Sequence, residues 1–225
     1  MRTWFVALGL IAGWFSIVVQ GGCALTSKAD ALSPRFFSAE LETRAAELPE
    51  PEGAPLELRL GQVEAASHLE ERISYRLNGA ELGYYEDRRW TEAPEHYLRR
   101  ALERELFERR HIRRVVSGPG ATLDVELTAF EELRRPPARV RLALSYTLHD
   151  ARQSSLERSL VIERPLADVD EPDRAQQVAA ALGIALGAAV AEISDQVVRK
   201  LPPPAVPALT EPLPRTNATS ERSPP

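Results

Sequence analysis

The chain has 225 residues, a formal net charge of −5 and one cysteine. A mildly acidic sequence with interleaved charges argues against nucleic acid as the main partner, because nucleic-acid-binding proteins concentrate basic residues in a patch. A single cysteine excludes an intramolecular disulfide and a zinc site built from several thiolates. The folded part of the chain is therefore expected to be stabilised by its hydrophobic core alone.

The N-terminal segment is typical of a bacterial lipoprotein signal. Arg2 gives a basic start, residues 4–19 form an apolar run, and two glycines precede Cys23. This layout predicts that residues 1–22 are a signal peptide and that Cys23 receives a covalent lipid. Gln20 departs from the pattern, since an aliphatic residue is usual there. The alternative is an uncleaved membrane anchor, although the apolar run is shorter than the ~20 residues that cross a bilayer.

The rest of the chain divides into three regions by composition. Residues 23–34 are mostly small and polar, which predicts a tether. Residues 35–201 hold most of the remaining bulky apolar side chains and are enough for one medium-sized domain. Residues 202–225 are rich in proline, and we expect disorder there because such a segment cannot bury enough apolar surface to offset its ordering entropy.

The first half of the domain is predicted to contain strands followed by a helix. Alternating apolar residues indicate a first strand over residues 56–63. A hairpin is predicted over residues 73–85, because both residues of its central Asn-Gly pair tolerate positive φ. Pro94 favours the first turn of a helix that ends around Arg110, since a proline there loses no helical hydrogen bond.

The second half is predicted to contain three strands, over residues 123–129, 140–148 and 156–163, and a long helix over residues 170–200. Two glycines four residues apart in this helix are assigned to close packing on the sheet. A membrane-spanning role is disfavoured because the uncharged stretch, 176–191, is short. The order of elements predicts a single-domain α+β fold, with a mostly antiparallel sheet and two helices packed on one face.

The sequence carries no recognisable catalytic constellation. It has no nucleophile elbow and no glycine-rich loop that joins a strand to a helix. Four scattered histidines share no ligand spacing on one element, namely His68, His96, His111 and His149. We therefore expect no metal site, no enzymatic activity and no cofactor beyond the covalent lipid on Cys23.

Residues 109–114 form a basic cluster in an otherwise acidic chain. One interpretation is a helix C-terminus, where cations complement the helix dipole. The alternative is contact with anionic headgroups or an acidic partner.

A second cluster combines aromatic and arginine side chains just before the predicted first helix. Tyr, Trp and Arg are the residue types enriched where protein interfaces concentrate their binding energy. The candidate partner-binding residues are Tyr84, Tyr85, Arg88, Arg89 and Trp90. Trp90 is equally compatible with a role as an anchor of the hydrophobic core.

The order of these features resembles the ABC-type transport auxiliary lipoproteins, a PqiC-like group. The most specific shared piece is Arg89-Trp90 followed by Pro94, whereas Gln20 and the proline-rich tail depart from the family pattern. The other shared segments are the lipidated Cys23, an aromatic segment at 35–37, the strand at 56–63, the strand at 123–131 and an alanine-rich helix that ends at 193–202.

The resemblance implies a lipoprotein anchored in the outer membrane and facing the periplasm. Its partners would be an MCE-domain protein with an ABC permease and ATPase, which move phospholipid or other hydrophobic molecules between membranes. Members of the family are also expected to form homo-oligomeric rings. Ala24, rather than Asp, after the lipidated cysteine favours sorting to the outer membrane.

Two other functions remain open at this point. One is a lipoprotein assembly factor that binds an outer-membrane β-barrel, similar to those of lipopolysaccharide transport. The other is a structural lipoprotein of the cell envelope that binds peptidoglycan.

Overall fold

The computed structural model describes residues 33–39, 55–118, 120–150, 154–167 and 171–201, without the side chains of residues 171–173. The predicted signal peptide, the lipid-attachment residue Cys23, most of the tether and the proline-rich tail lie outside the described residues. Their predicted roles stay predictions.

The described residues form eight strands and two helices. The strands are β1 (Arg35–Phe37), β2 (Glu57–Ala65), β3 (Arg72–Arg76), β4 (Leu82–Trp90), β5 (Arg113–Arg114), β6 (Thr122–Leu133), β7 (Arg139–His149) and β8 (Ser154–Pro165). The helices are α1 (Pro94–Glu103), which continues as a π-helical segment (Arg104–Arg109), and α2 (Glu171–Lys200).

Strand β6 organises the sheet. One of its edges pairs with antiparallel β7 over almost the whole strand. The other edge is shared, because its first half pairs with parallel β2 and its second half with parallel β3. On the first edge, β8 extends the sheet beyond β7. On the shared edge, β5 extends the sheet beyond β2, and β4 followed by β1 extends it beyond β3.

The predicted α+β class, with a mostly antiparallel sheet and two helices, is confirmed. The β6–β7 and β7–β8 ladders are antiparallel and are the longest in the sheet. The short parallel neighbours of β6 were not predicted. A period of two along a strand shows which face is buried, but it does not show the direction of the neighbouring strand.

One face of the sheet carries the core. Along β7 every second residue is buried, and these are Val140, Leu142, Leu144, Tyr146 and Leu148. Leu123 and Leu127 of β6 lie beside Leu148 and Leu144 in the register, so both strands point apolar side chains to the same side. The helices cover this side, and the intervening residues, which are mostly polar, form the open face.

Helix α1 begins at Pro94, as the sequence predicts, and buries Tyr97, Leu98 and Leu102. The chain then passes directly into the π-helical segment, which buries Leu106 together with the charged residue Glu105. The helical region therefore ends one residue before the predicted end at Arg110.

Helix α2 packs against β7, β8 and α1. An 18-residue window within its stretch Arg174–Lys200 reaches a mean hydropathy of 1.6, and the stretch is long and apolar enough to cross a membrane by length and composition. Length alone therefore does not exclude a membrane helix. The packing does support a core helix, because residues such as Val178, Leu182 and Ile193 are completely buried against the rest of the domain.

Candidate functional site

Two of the five predicted partner-binding residues on β4 belong to the core. Trp90 is only 1% exposed, and its ring centroid lies 5.3 Å from that of Phe130 and 6.2 Å from that of Tyr97. Trp90 thus occupies the position expected of a core anchor. Because Trp90 is buried, it can affect partner binding only by holding neighbouring surface residues in position.

Tyr85 is the second core residue and belongs to a buried polar network. Its hydroxyl donates a 2.6 Å hydrogen bond to Glu132 Oε2, and Arg174 of α2 donates to the other oxygen of this carboxylate at 2.8 Å. The guanidinium of Arg134 lies 4.7 Å from the Tyr85 ring centroid. Burial, and then the hydrogen bond and charge of Glu132, raise the pKa of Tyr85 far above its ordinary value of 10.0. This network joins β4, β6 and α2.

The other three candidates on β4 are partly exposed. The hydroxyl of Tyr84 donates to the backbone oxygen of His68 at 3.0 Å. Arg88 forms an ion pair with Asp87, and Arg89 donates to backbone oxygens of its own strand. The surface of β4 therefore presents Tyr84 and the exposed Glu86, whereas the Arg88 side chain is only 13% exposed. The predicted partner-binding role of the segment stays a prediction.

The basic cluster at residues 109–114 is largely paired with acidic residues of the same chain. The pairs join Arg109 and Arg110 to Glu105, Arg110 to Asp195, Arg113 to Glu57, and Arg114 to Glu103. Arg110 is the key link, because it bridges the buried Glu105 of the π-helical segment at 3.0 Å and Asp195 of α2 at 2.5 Å. These contacts favour a structural role for the cluster.

A groove runs between α2 on one side and α1 with its π-helical segment on the other. Its cavity volume is about 230 Å³. The buried part is apolar, and the arginines lie toward solvent. The lining consists of Tyr97, Ala101, Leu186, Gly187, Val190 and Ala191, together with Arg100, Arg104, Glu105 and Arg109.

The three arginines of the groove differ in their partners. Arg100 is ion-paired with Glu92 and lies 5.4 Å from the Tyr97 ring centroid. Its hydrogen bond lowers the pKa of Glu92 and so keeps this carboxylate ionised. Arg109 is ion-paired with Glu105. Arg104 is exposed and has no ion-pair partner among the residues described, so it leaves a free cation at the edge of an apolar groove.

The outer face of α2 beside this groove is also apolar. A surface helix usually carries polar residues on its solvent side, but here the outward positions hold Ala180, Ile184, Gly187 and Ala191. Ile184 is 46% exposed. The groove was not predicted from the sequence. The available signal was the absence of charge from 175 to 191, which reaches further round the helix than packing on one sheet requires.

No group of three or more His, Cys, Asp or Glu side chains within the described ranges could hold a metal ion. The four histidines are not brought together. His149 instead bonds to Asp124 at 2.8 Å on the open face of the sheet. What the described domain offers is an apolar groove with a cationic edge and a polar strand surface, which are features of a binding or accessory domain.

A comparison with known protein families agrees with the reading of this domain as a binding or accessory domain. The sequence profile described as ABC-type transport auxiliary lipoprotein component matches residues 40–198. The match covers most of the chain, so the protein belongs to this family, and the resemblance seen in the sequence is confirmed. It is therefore an auxiliary lipoprotein component of an ABC-type transport system, and such a component belongs to the cell envelope.

Solved structures show the same fold at low sequence identity. A DUF330 protein from Xanthomonas campestris is 18% identical with a TM-score of 0.62, and the match covers 75% of this chain and 96% of that one. A second crystal structure, of an uncharacterized protein, is 13% identical with a TM-score of 0.54, covering 73% of this chain and 99% of the other. No curated protein matches the sequence.

Proposed function

We propose that this protein is an accessory lipoprotein of an MCE-type ABC transport system, anchored in the outer membrane by the lipid on Cys23 and facing the periplasm. In this role it assists the movement of phospholipid or other hydrophobic molecules between the two membranes. It contacts an MCE-domain protein and acts as a non-enzymatic subunit, in association with the ABC permease and ATPase and as a homo-oligomeric ring.

The observation that carries the proposal is the family match over residues 40–198, because it defines an auxiliary component of ABC-type transport. The sequence adds two supports. Cys23 follows an apolar segment, as a lipidation site requires, and Ala24 follows Cys23 where Asp would favour retention in the inner membrane. The groove beside α2 adds an apolar surface suited to a system that handles hydrophobic molecules.

The outer surface of β4 is the proposed contact with the partner. Along this strand Glu86 is exposed, and Tyr84 and Arg88 on either side of it are partly exposed. Tyr and Arg are the side chains most often found at the energetic centre of an interface. The edge of β4 next to them is covered by β1 only at residues 88–90.

Site-specific photocrosslinking in cells tests this function. The photoreactive residue p-benzoylphenylalanine would replace Glu86 in the full-length protein, and the crosslinked product would be identified by mass spectrometry. We expect an MCE-domain protein. The matched control places the same residue at Val161, which is 60% exposed on the open face of the sheet, and there we expect much less of this product.

A β-barrel protein crosslinked at position 86 would contradict the proposal in favour of an assembly factor. A crosslink to peptidoglycan-associated material alone would contradict it in favour of a structural lipoprotein. An MCE-domain crosslink from Val161 instead of Glu86 would keep the function and overturn the assignment of the contact to β4.

A further inference from the structure

The groove between α1 and α2 combines an apolar interior with one free cation. Leu186 and Val190 are 3% and 4% exposed at its base, whereas Arg104 is exposed at its edge. We infer that this groove binds one acyl chain of a phospholipid and that Arg104 binds the phosphate of the same lipid. The inference deepens the proposed function and rests on it for the choice of a phospholipid over other anionic amphiphiles.

The size of the groove fits part of a lipid. Its volume of about 230 Å³ lies below the range of about 300–1,000 Å³ that encloses a drug-sized ligand. A segment of one chain therefore enters the cavity, and the remainder lies along the apolar outer face of α2, where Ile184 is exposed. Small residues make the room, because Ala101 on α1 and Gly187 and Ala191 on α2 line the cavity.

The charges around the groove fit a phosphodiester. Arg100 and Arg109 are already paired with Glu92 and Glu105, so Arg104 is the guanidinium left to bind an anion. A guanidinium binds phosphate through two parallel hydrogen bonds, and these charge-assisted bonds are stronger than neutral ones. Glu105 does not repel the anion strongly, because both Arg109 and Arg110 neutralise it.

The backbone supports the same position. Arg104 is the first residue of the π-helical segment, and π-helical turns inside helices are frequent at functional sites. The Arg110–Asp195 ion pair then ties the end of this segment to α2. Both walls of the groove are thereby held in place while Arg104 remains open to solvent.

Lipid photolabelling in intact cells tests the inference on the full-length protein. Cells would be fed a fatty acid that carries a diazirine and an alkyne and is incorporated into membrane phospholipids. After irradiation the protein would be purified, digested and mapped by mass spectrometry. We expect peptides from α1 and α2 to carry an adduct whose mass includes a glycerophosphate headgroup.

Two variants locate the lipid. Ala191→Trp fills the groove from an exposed position, and we expect it to remove most of the adduct. Arg104→Glu loses a charge-assisted contact, and we expect the adduct to fall about tenfold. Val161→Trp and Arg135→Glu are the matched controls, since both residues are exposed and lie outside the groove, and they should leave labelling unchanged. Melting curves would verify that all four variants fold.

Three outcomes would overturn the inference. These are no adduct on the groove peptides, an adduct insensitive to both groove variants, or a crosslink that joins the groove to the peptide of Cys23 and so identifies the protein's own anchor chain.

Recovery of the MCE-domain protein is scored separately in the same cells. An MCE partner without a groove adduct leaves the proposed function intact, whereas a groove adduct without an MCE partner removes the function and keeps the lipid site.

Discussion

Two consecutive glutamates of β6 are completely buried, and each is neutralised by arginines. Glu131 points to the open face and pairs with Arg76 and Arg141, whereas Glu132 points to the helix side and pairs with Arg134 and Arg174. Burial of a carboxylate is costly unless such partners are present. The two glutamates therefore hold arginine side chains in place on opposite faces of the sheet, at neighbouring positions of β6.

Tyr85 predicts how stability responds to high pH. Its pKa is raised above the ordinary value of 10.0 in the folded protein, so above about pH 10 the unfolded chain releases the phenolic proton while the native state retains it. The stabilisation is complete below this pH and is lost as pH rises toward the native pKa. We expect Tyr85→Phe to show a shallower alkaline fall in unfolding free energy than wild type.

Denaturant unfolding at a series of pH values measures this difference. Tyr84→Phe is the control, because it removes a neighbouring hydroxyl and leaves Tyr85 intact, and it should keep the wild-type slope. Equal slopes for wild type and Tyr85→Phe would show that the network around Glu132 does not hold the proton.

Trp90 predicts a large loss of stability when truncated. The side chain is 1% exposed and packs on Phe130 and Tyr97, so Trp90→Ala should lower the unfolding free energy by about 3–5 kcal/mol. Phe36→Ala is the control, since Phe36 is 59% exposed, and it should change stability by less than about 0.5 kcal/mol. A Trp90→Ala loss as small as that of the control would contradict the core position of this residue.

At the scale of elements, the attachment of α2 depends on Glu132. Removing this carboxylate takes the ion-pair partner from Arg174, whose side chain is 13% exposed, and the hydrogen-bond acceptor from Tyr85, so Glu132→Ala should cost about 3–5 kcal/mol. Hydrogen exchange should also become faster in the first turns of α2. Glu126→Ala, an exposed position on the same strand, is the control and should leave exchange in α2 unchanged. If amide exchange in α2 is the same in Glu132→Ala as in Glu126→Ala, apolar packing alone holds the helix.

The elements themselves could be predicted because their signals are local. The Asn78-Gly79 turn joins β3 and β4, Pro94 begins α1, and alternation along β7 marks its buried face. The pairing of β6 with β2 and β3 could not be predicted, because partner and direction depend on contacts between residues far apart in sequence. The groove was missed for the same reason, since it exists only where α1 and α2 come together.

The assignment of the aromatic segment shows the same limit at single residues. Composition marked five of the seven residues from Tyr84 to Trp90 as interface candidates, but the fold divides these five between the core and the surface. Tyr85 and Trp90 enter the core, whereas Tyr84 and Arg88 remain partly exposed. Composition cannot make this division, because aromatic side chains are favoured both in cores and at interfaces.

At the scale of the whole molecule, the domain presents three distinct surfaces. The open face of the sheet is mostly polar, the surface of β4 carries Tyr84 and Glu86, and the helix side carries the groove at Arg104. In the proposed function the acyl chains on Cys23 hold the protein at the membrane, β4 contacts the transport protein, and the groove contacts lipid. Because β4 and the groove are separate surfaces, the protein would be able to contact the transport protein and lipid at the same time.

The central claim, that the protein serves an MCE-type ABC system, is tested most directly by untargeted copurification. The full-length protein would be crosslinked in intact cells, affinity-purified from membranes and its partners identified by mass spectrometry. We predict recovery of an MCE-domain protein together with its ABC permease. Recovery of an outer-membrane barrel complex, with no component of an MCE system, would contradict the account.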